Sequence, residues 1–230
     1  MSRVRHEGPV IVGAGLAGLS AALEAARAGA RVLVVTPEPL LSGCSSAWAQ
    51  GGMAAALTAV DSAELHAKES PDRVWELETY GALFDRTGEG KISQRNFGGH
   101  EYPRLAHVGD RTGLELIRTM QQRIVALQQE DKKEFGDYEH RIRVFQELTI
   151  TEILKDNGKV SGAYGYWRET GEEVLFETSA IVLATGGIGK SFRVTSNSWE
   201  GTGDGHALAL KAGGRLKDIE FVQFHPTGMV

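Results

Sequence analysis

The sequence holds a single cysteine, Cys44, in 230 residues, so no disulfide can form within the chain. Proline is scarce at six, and no proline- or serine-rich linker divides the sequence. No apolar run reaches the ~18 residues of a membrane span, and Met1 to His6 leads straight into a strand pattern. Basic residues are not in excess. Twenty-five Lys and Arg stand against thirty Asp and Glu, a net charge of −5, which argues against a nucleic-acid partner. With 41% hydrophobic and 24% charged residues, the expectation is a soluble globular chain without direct membrane insertion.

Glycine is abundant: 29 residues, about 13% against a usual ~7%. Without a collagen-like period, that excess serves tight turns and close backbone approach to a ligand. Pro9-Val10-Ile11-Val12 has the apolar character of a buried parallel strand. It runs into Gly13-Ala14-Gly15-Leu16-Ala17-Gly18, an Ala/Leu-rich helix through Ala28, a terminating Gly29, and a second strand over 31–35. Helical patterns return around 63–80, where Ser70-Pro71 restarts or kinks the helix, and around 110–135, where Asp110 is a natural N-cap. Strand patterns follow over 144–154, 159–167, 173–177 and 180–184, with turns at Asp156-Asn157-Gly158 and Glu169-Thr170-Gly171. A Gly-rich loop then enters a short helix over 206–212. The chain stops after Gln223-Phe224-His225-Pro226-Thr227-Gly228, which reads as a cut rather than a natural terminus.

The G-x-G-x-x-G pattern gains meaning from its place between strand and helix. Gly13 allows the sharp turn, Gly15 lets a pyrophosphate approach, and Gly18 lets helix and strand pack closely. The pyrophosphate then lies at the positive end of the helix. The acid that usually binds ribose after the second strand is replaced by Thr36, with Pro37 and Glu38 behind it. The fingerprint by itself therefore leaves NAD and FAD both open. The order that follows, a long excursion, a strand meander and a strand ending in Ala184-Thr185-Gly186-Gly187, is that of the large FAD-binding folds. The expected fold class is α/β: a Rossmann-like FAD-binding domain of the glutathione-reductase class with a strand meander, spanning 1–230 and truncated before or within a capping domain.

Six motifs extend this reading: 49–56 (AQGGMAAA), 97–100 (FGGH), 110–113 (DRTG), 184–187 (ATGG), 202–205 (TGDG) and 220–228 (EFVQFHPTG). With them the chain resembles the flavoprotein subunits of succinate dehydrogenase and fumarate reductase and their relative L-aspartate oxidase. The stretch 45–52 looks like L-aspartate oxidase. From about Ala63 onward the chain looks like the other two, and between Leu57 and Ala63 it is shorter than they are.

That resemblance implies FAD held by Gly13, Ala14, Gly15, Ala17 and Gly18 at the pyrophosphate and by Thr36 at the adenosine ribose. Ser45, Ser46, Gln50, Gly51 and Gly52 line the flavin side, while Ala184, Thr185, Gly186 and Asp204 close over the cofactor. Ser45 stands where many succinate dehydrogenases carry a flavin-linked histidine, which implies non-covalent FAD. The implied substrate is a four-carbon dicarboxylate, met by Gly51, Phe97, His225 and Thr227. L-aspartate oxidase has an acidic residue where Phe97 stands, so Phe97 favours succinate or fumarate. Read without the family, Phe97 is a loop anchor and His225 a turn donor; His100 and His107 read as loop and structural histidines, and Cys44 as a buried small residue.

The resemblance also places the family's proton-transfer arginine past Val230. No catalytic residue and no metal site are therefore assigned, and the isolated chain is expected to be inactive. It further implies that an iron–sulfur subunit is the partner, and that the location is cytoplasmic, at the inner face of the plasma membrane through partner subunits. The alternatives are L-aspartate oxidase activity, a non-catalytic truncated FAD-binding module, and, more distantly, a nicotinamide enzyme.

Overall fold

Alternation along two short strands sets the layers of the molecule. In the computed structural model, which describes residues 1–40, 44–54, 65–96 and 99–222, strands β2 (Val10–Val12) and β3 (Val32–Val35) are buried at every position. An edge strand, β1 (Ser2–Arg5), precedes them. Successive side chains of a strand point to opposite faces. Accordingly, Ile11, Val32 and Val34 join one core with Leu19, Ala22, Leu23 and Ala26 of α1 (Leu16–Arg27). Val10, Val12, Leu33 and Val35 join a second core with Phe145, Leu148, Ala163, Val174 and Phe176. A strand buried on both faces has no polar side, which is why the sequence shows an unbroken apolar run there.

The parallel sheet has the order β11-β2-β3-β7, with β7 at Ile142–Phe145 and β11 at Ile181–Leu183. All three pairings are parallel, for example Ile11 with Val34 and Val182 with Ile11. One face carries α1 and the long α3 (Thr112–Phe135). The other carries the meander β8 (Leu148–Asp156), β9 (Lys159–Trp167) and β10 (Glu173–Glu177), with β1 added parallel to β10. Helix α2 (Leu65–Thr79) and three short antiparallel strands, β4 (Met53–Ala54), β5 (Gln94–Arg95) and β6 (Leu105–Ala106), fill the excursion between β3 and α3. Near the chain's end, α4 (Asp204–Lys211) sets Leu208 into the meander-side core.

Four sequence expectations change. The strand expected over 144–154 is two strands. Between them Glu147 takes φ 57°, and the chain steps from the parallel sheet into the meander. Asp110 does not cap α3. Arg111 occupies that position without a side-chain cap, and the exposed Asp110 carboxylate lies 3.5 Å from Arg95. Of the two expectations for Pro71 the restart is overturned, since α2 runs through it. The opening residues form β1, whose pairing with a strand more than 170 residues away leaves no local signal. The turn at Asn157-Gly158 is as expected for a hairpin, with φ of 49° and 79°.

Phe176 is fully buried at the centre of the meander-side core, against Phe145 at 5.9 Å between ring centroids. Phe176→Ala is expected to cost about 3–5 kcal/mol of stability, read as an earlier midpoint in urea unfolding.

Candidate cofactor site

At the carboxyl ends of the parallel strands, where open α/β sheets bind ligands, a cleft of about 530 Å³ opens. Its floor is the β2–α1 turn. Gly13 has φ 114°, and a Cβ there would lie 2.3 Å from the Ala184 carbonyl oxygen. A Cβ at Gly18 would lie 1.9 Å from the Gly13 carbonyl oxygen. Both positions therefore require glycine for packing reasons alone. Gly15 is different: the nearest atoms to a Cβ there are Ser46 Oγ at 3.4 Å and Cys44 Cβ at 3.9 Å. Among the described residues nothing comes nearer than these contacts to a Cβ at Gly15, and its bare backbone faces the cleft. The first turn of α1 has no acidic residue, so its positive end is open to an anion. One amide, that of Leu16, donates to Ser46 Oγ at 3.2 Å, which docks the 45–48 turn on the helix start.

Of the residues expected at the cofactor, Gly13, Ala14, Gly15, Ala17, Thr36, Ser45, Ser46, Ala184, Thr185, Gly186 and Asp204 line this one cleft. Gly18 lies beneath it as a packing residue. Gln50, Gly51 and Gly52 are not among its lining; they lie on the loop that leads into β4. Phe97, His225 and Thr227, together with residues 55–64, lie outside the described residues.

Packing joins segments that are far apart in sequence. A Cβ at Gly205 would lie 1.7 Å from Thr185 Oγ1, so α4 sits directly on the loop after β11. Asp204 opens α4 and its carboxylate accepts the Thr202 hydroxyl at 2.8 Å. The Ser45 and Ser198 hydroxyls are 2.5 Å apart, linking the 45–48 turn to the loop before α4. Thr36 is nearly fully buried, its amide donates to the Phe145 carbonyl, and its hydroxyl donates to the Glu38 carbonyl at 3.1 Å. Cys44 packs against the helix-side core; burial, with the Glu200 carboxylate adding to it, raises its thiol above the ordinary range.

Sequence reasoning missed Arg95. Its guanidinium donates to the carbonyls of Gln50 at 2.7 Å, Gly51 at 3.0 Å and Gly109 at 2.9 Å, fastening the 50–52 loop to the start of α3. It also missed why Gly113 is a glycine. A Cβ there would lie 1.9 Å from the Ser46 carbonyl oxygen, so the bare helix surface seats the 45–48 turn. The 110–113 motif carried that signal, but its reason is a contact across 67 residues. Glu200 and His206, which also line the cleft, were likewise missed.

The fit to a dinucleotide is tested by the lining itself. Glu200 Oε2 and His206 Nδ1 are buried and have no hydrogen-bond partner among the described residues. Such atoms carry an energetic cost until a ligand or water meets them. With the open Gly15 and the acid-free start of α1, the residues present suit a long diphosphate-bearing ligand. The chain matches the FAD binding domain family over residues 9–70 and 59–230.

The chain belongs to that family. FAD is its cofactor. The two matched stretches overlap at residues 59–70. Among curated relatives, a subunit of the fumarate reductase (CoM/CoB) of Methanothermobacter marburgensis is 38% identical over 96% of this chain and 42% of its own length. L-aspartate oxidase of Caulobacter vibrioides is 38% identical over 99% of this chain and 46% of its own. Among solved structures, Mycobacterium smegmatis Sdh1 in complex with UQ1 is 63% identical, with a TM-score of 0.93 over 98% of this chain and 41% of that one. E. coli quinol fumarate reductase FrdA is 31% identical, with a TM-score of 0.86 over all of this chain and 40% of that one. The chain thus spans less than half the length of these relatives. Among the described residues no helix is long and apolar enough to cross a membrane, and no cluster of His, Cys, Asp and Glu is placed to hold a metal.

The two kinds of glycine separate in an experiment. Gly15→Ala is expected to keep the wild-type melting temperature within a few degrees while lowering flavin content and raising the FAD dissociation constant about tenfold or more. Gly18→Ala is expected to lower the melting temperature itself. Thermal unfolding and flavin absorbance on the same preparations check both.

Proposed function

We propose that this chain is the FAD-holding part of a flavoprotein of the succinate dehydrogenase/fumarate reductase type, which interconverts succinate and fumarate. The observation that carries the reading is the joining of residues 13–17, 184–186 and the 202–205 segment around one cleft, in a chain 63% identical to Sdh1. Bound FAD supplies a ring that takes up or gives back a hydride.

The chain's own residues then have separable roles. Backbone amides at the start of α1 hold the diphosphate, and the Thr36 oxygen accepts a ribose hydroxyl. Asp204 and Thr185 fix the middle of the cofactor. The Arg95-clamped loop presents the Gly51 backbone to the substrate side, where preorganised donors and a flat wall align a dicarboxylate. His225 and Thr227 bind a substrate carboxylate and Phe97 forms the wall. No residue of this chain is assigned to proton transfer. The cofactor is non-covalent, because a serine at position 45 cannot form a histidyl-flavin bond and its hydroxyl is already engaged by Ser198. In the complete protein an iron–sulfur subunit receives the electrons, and partner subunits hold the assembly at the inner face of the plasma membrane.

A second reading, L-aspartate oxidase, is favoured by the 38% identity to the Caulobacter enzyme over 99% of this chain. Phe97 weighs against it, since an apolar ring offers nothing to an ammonium group beyond its π face.

Acid precipitation of the purified protein is expected to release all flavin into the supernatant; flavin retained in the pellet would contradict the non-covalent assignment. The complete polypeptide is expected to reduce an artificial dye with succinate and to form no hydrogen peroxide with L-aspartate. The reverse pattern would establish the second reading.

A further inference from the structure

We propose that Arg168 is a positioning residue for the adenosine end of the cleft, acting through Pro37 and Glu38 to orient the Thr36 hydroxyl toward a ribose. The inference rests on FAD occupying the cleft. Arg168 follows β9, on the meander, and lies outside the cleft lining. Its guanidinium donates to the Pro37 carbonyl at 2.6 Å and pairs with the Glu38 carboxylate. Its amide donates to the Glu147 carbonyl at 2.8 Å, and the next residue, Leu148, donates to the Thr36 carbonyl at 3.0 Å. The corner after β3 is thereby held from both sides.

Two consequences follow for the ligand. First, the Glu38 carbonyl is held where it accepts the Thr36 hydroxyl proton. A hydroxyl has one proton and two lone pairs. With the proton committed to Glu38, Thr36 offers the cleft an acceptor, which suits the hydroxyl of a ribose. Second, the Glu38 carboxylate is paired with Arg168, which also lies 4.0 Å from the Glu147 carboxylate, so Glu38 is held in the corner and does not compete with Thr36 for the ribose. Glu38 is therefore not a displaced version of the ribose-binding acid, and its charge serves the latch.

The test is a double-mutant cycle on FAD affinity in the complete polypeptide, freed of flavin and followed by flavin fluorescence on rebinding. Thr36→Val and Arg168→Ala are each expected to raise the FAD dissociation constant about three- to tenfold. The double variant is expected to be no weaker than Thr36→Val alone, and Arg168→Lys to fall between wild type and Arg168→Ala. FMN, which lacks the adenosine half, is expected to bind all variants equally. Additive losses, an unchanged FAD constant in Arg168→Ala, or equal losses for FAD and FMN would overturn the proposal. If Arg168→Ala does not fold by circular dichroism, the cycle is run with Arg168→Lys, whose loss must vanish in the Thr36→Val background. Wild-type protein that fails to bind FAD would overturn the cofactor reading as well, whereas additivity in a wild type that binds FAD overturns only the role of Arg168.

Discussion

Three backbone segments meet at the β2–α1 turn with no room for a side chain between them. The Gly13 carbonyl lies against Gly18, and the Ala184 carbonyl lies against Gly13. This close approach brings the carboxyl ends of β2 and β11 beside the start of α1, so the helix amides open onto the same space as the loop after β11. The seating of α4 on Thr185 depends on that loop, and the Ser45–Ser198 contact ties the 45–48 turn to the segment that precedes α4. Were the turn wider by the radius of one methyl group, the helix would shift relative to the sheet and the cleft would lose its floor.

The rest of the molecule holds this turn in place from two sides. On the helix face, α1 and α3 share a core with Ile11, Val32 and Val34, and α3 carries Gly113, the seat of the 45–48 turn. On the other face, the meander packs Phe176, Leu148 and Val174 against Val10, Val12, Leu33 and Val35. The step at Glu147 lets one continuous stretch contribute first to the parallel sheet and then to the meander, and it delivers Leu148 to the backbone of Thr36. Both cores are built from apolar side chains, although Thr119, Gln121 and Asp131 of α3 are buried as well. The polar latches, Arg95 on the 50–52 loop and Arg168 on the 37–38 corner, sit at the edges, where guanidinium forks meet carbonyl groups that strands and helices have left unpaired.

The division of labour among the glycines links fold to ligand. Gly13, Gly18, Gly113 and Gly205 are crowded by the protein's own atoms, so the fold itself requires them. Gly15 is not crowded, and Glu200 Oε2 and His206 Nδ1 are buried without partners among the described residues. At these places the polypeptide is incomplete as a packed object, which supports the proposal that the cleft takes up FAD, the cofactor of the family.

Much of this was legible along the chain because its causes are local. The apolar runs of β2 and β3, the strand–glycine–helix order, the Asn157-Gly158 turn and the meander follow from periodicity and turn chemistry, each spanning about thirty residues or fewer. The fingerprint glycines and the distant 184–187 and 202–205 motifs were recognisable as well, the latter by family likeness. What the sequence could not disclose depends on contacts across long separations: β1 pairing with β10, Arg95 gripping two loops, Gly113 seating the 45–48 turn, Arg168 reaching the corner after β3. An arginine that binds carbonyl oxygens leaves no period and no spacing behind, because its partners are backbone groups present at every residue. Sequence alone determined that a dinucleotide fingerprint stands between a strand and a helix, while only the tertiary structure decided which carbonyls, hydroxyls and guanidinium groups surround it, since those are selected by proximity in space.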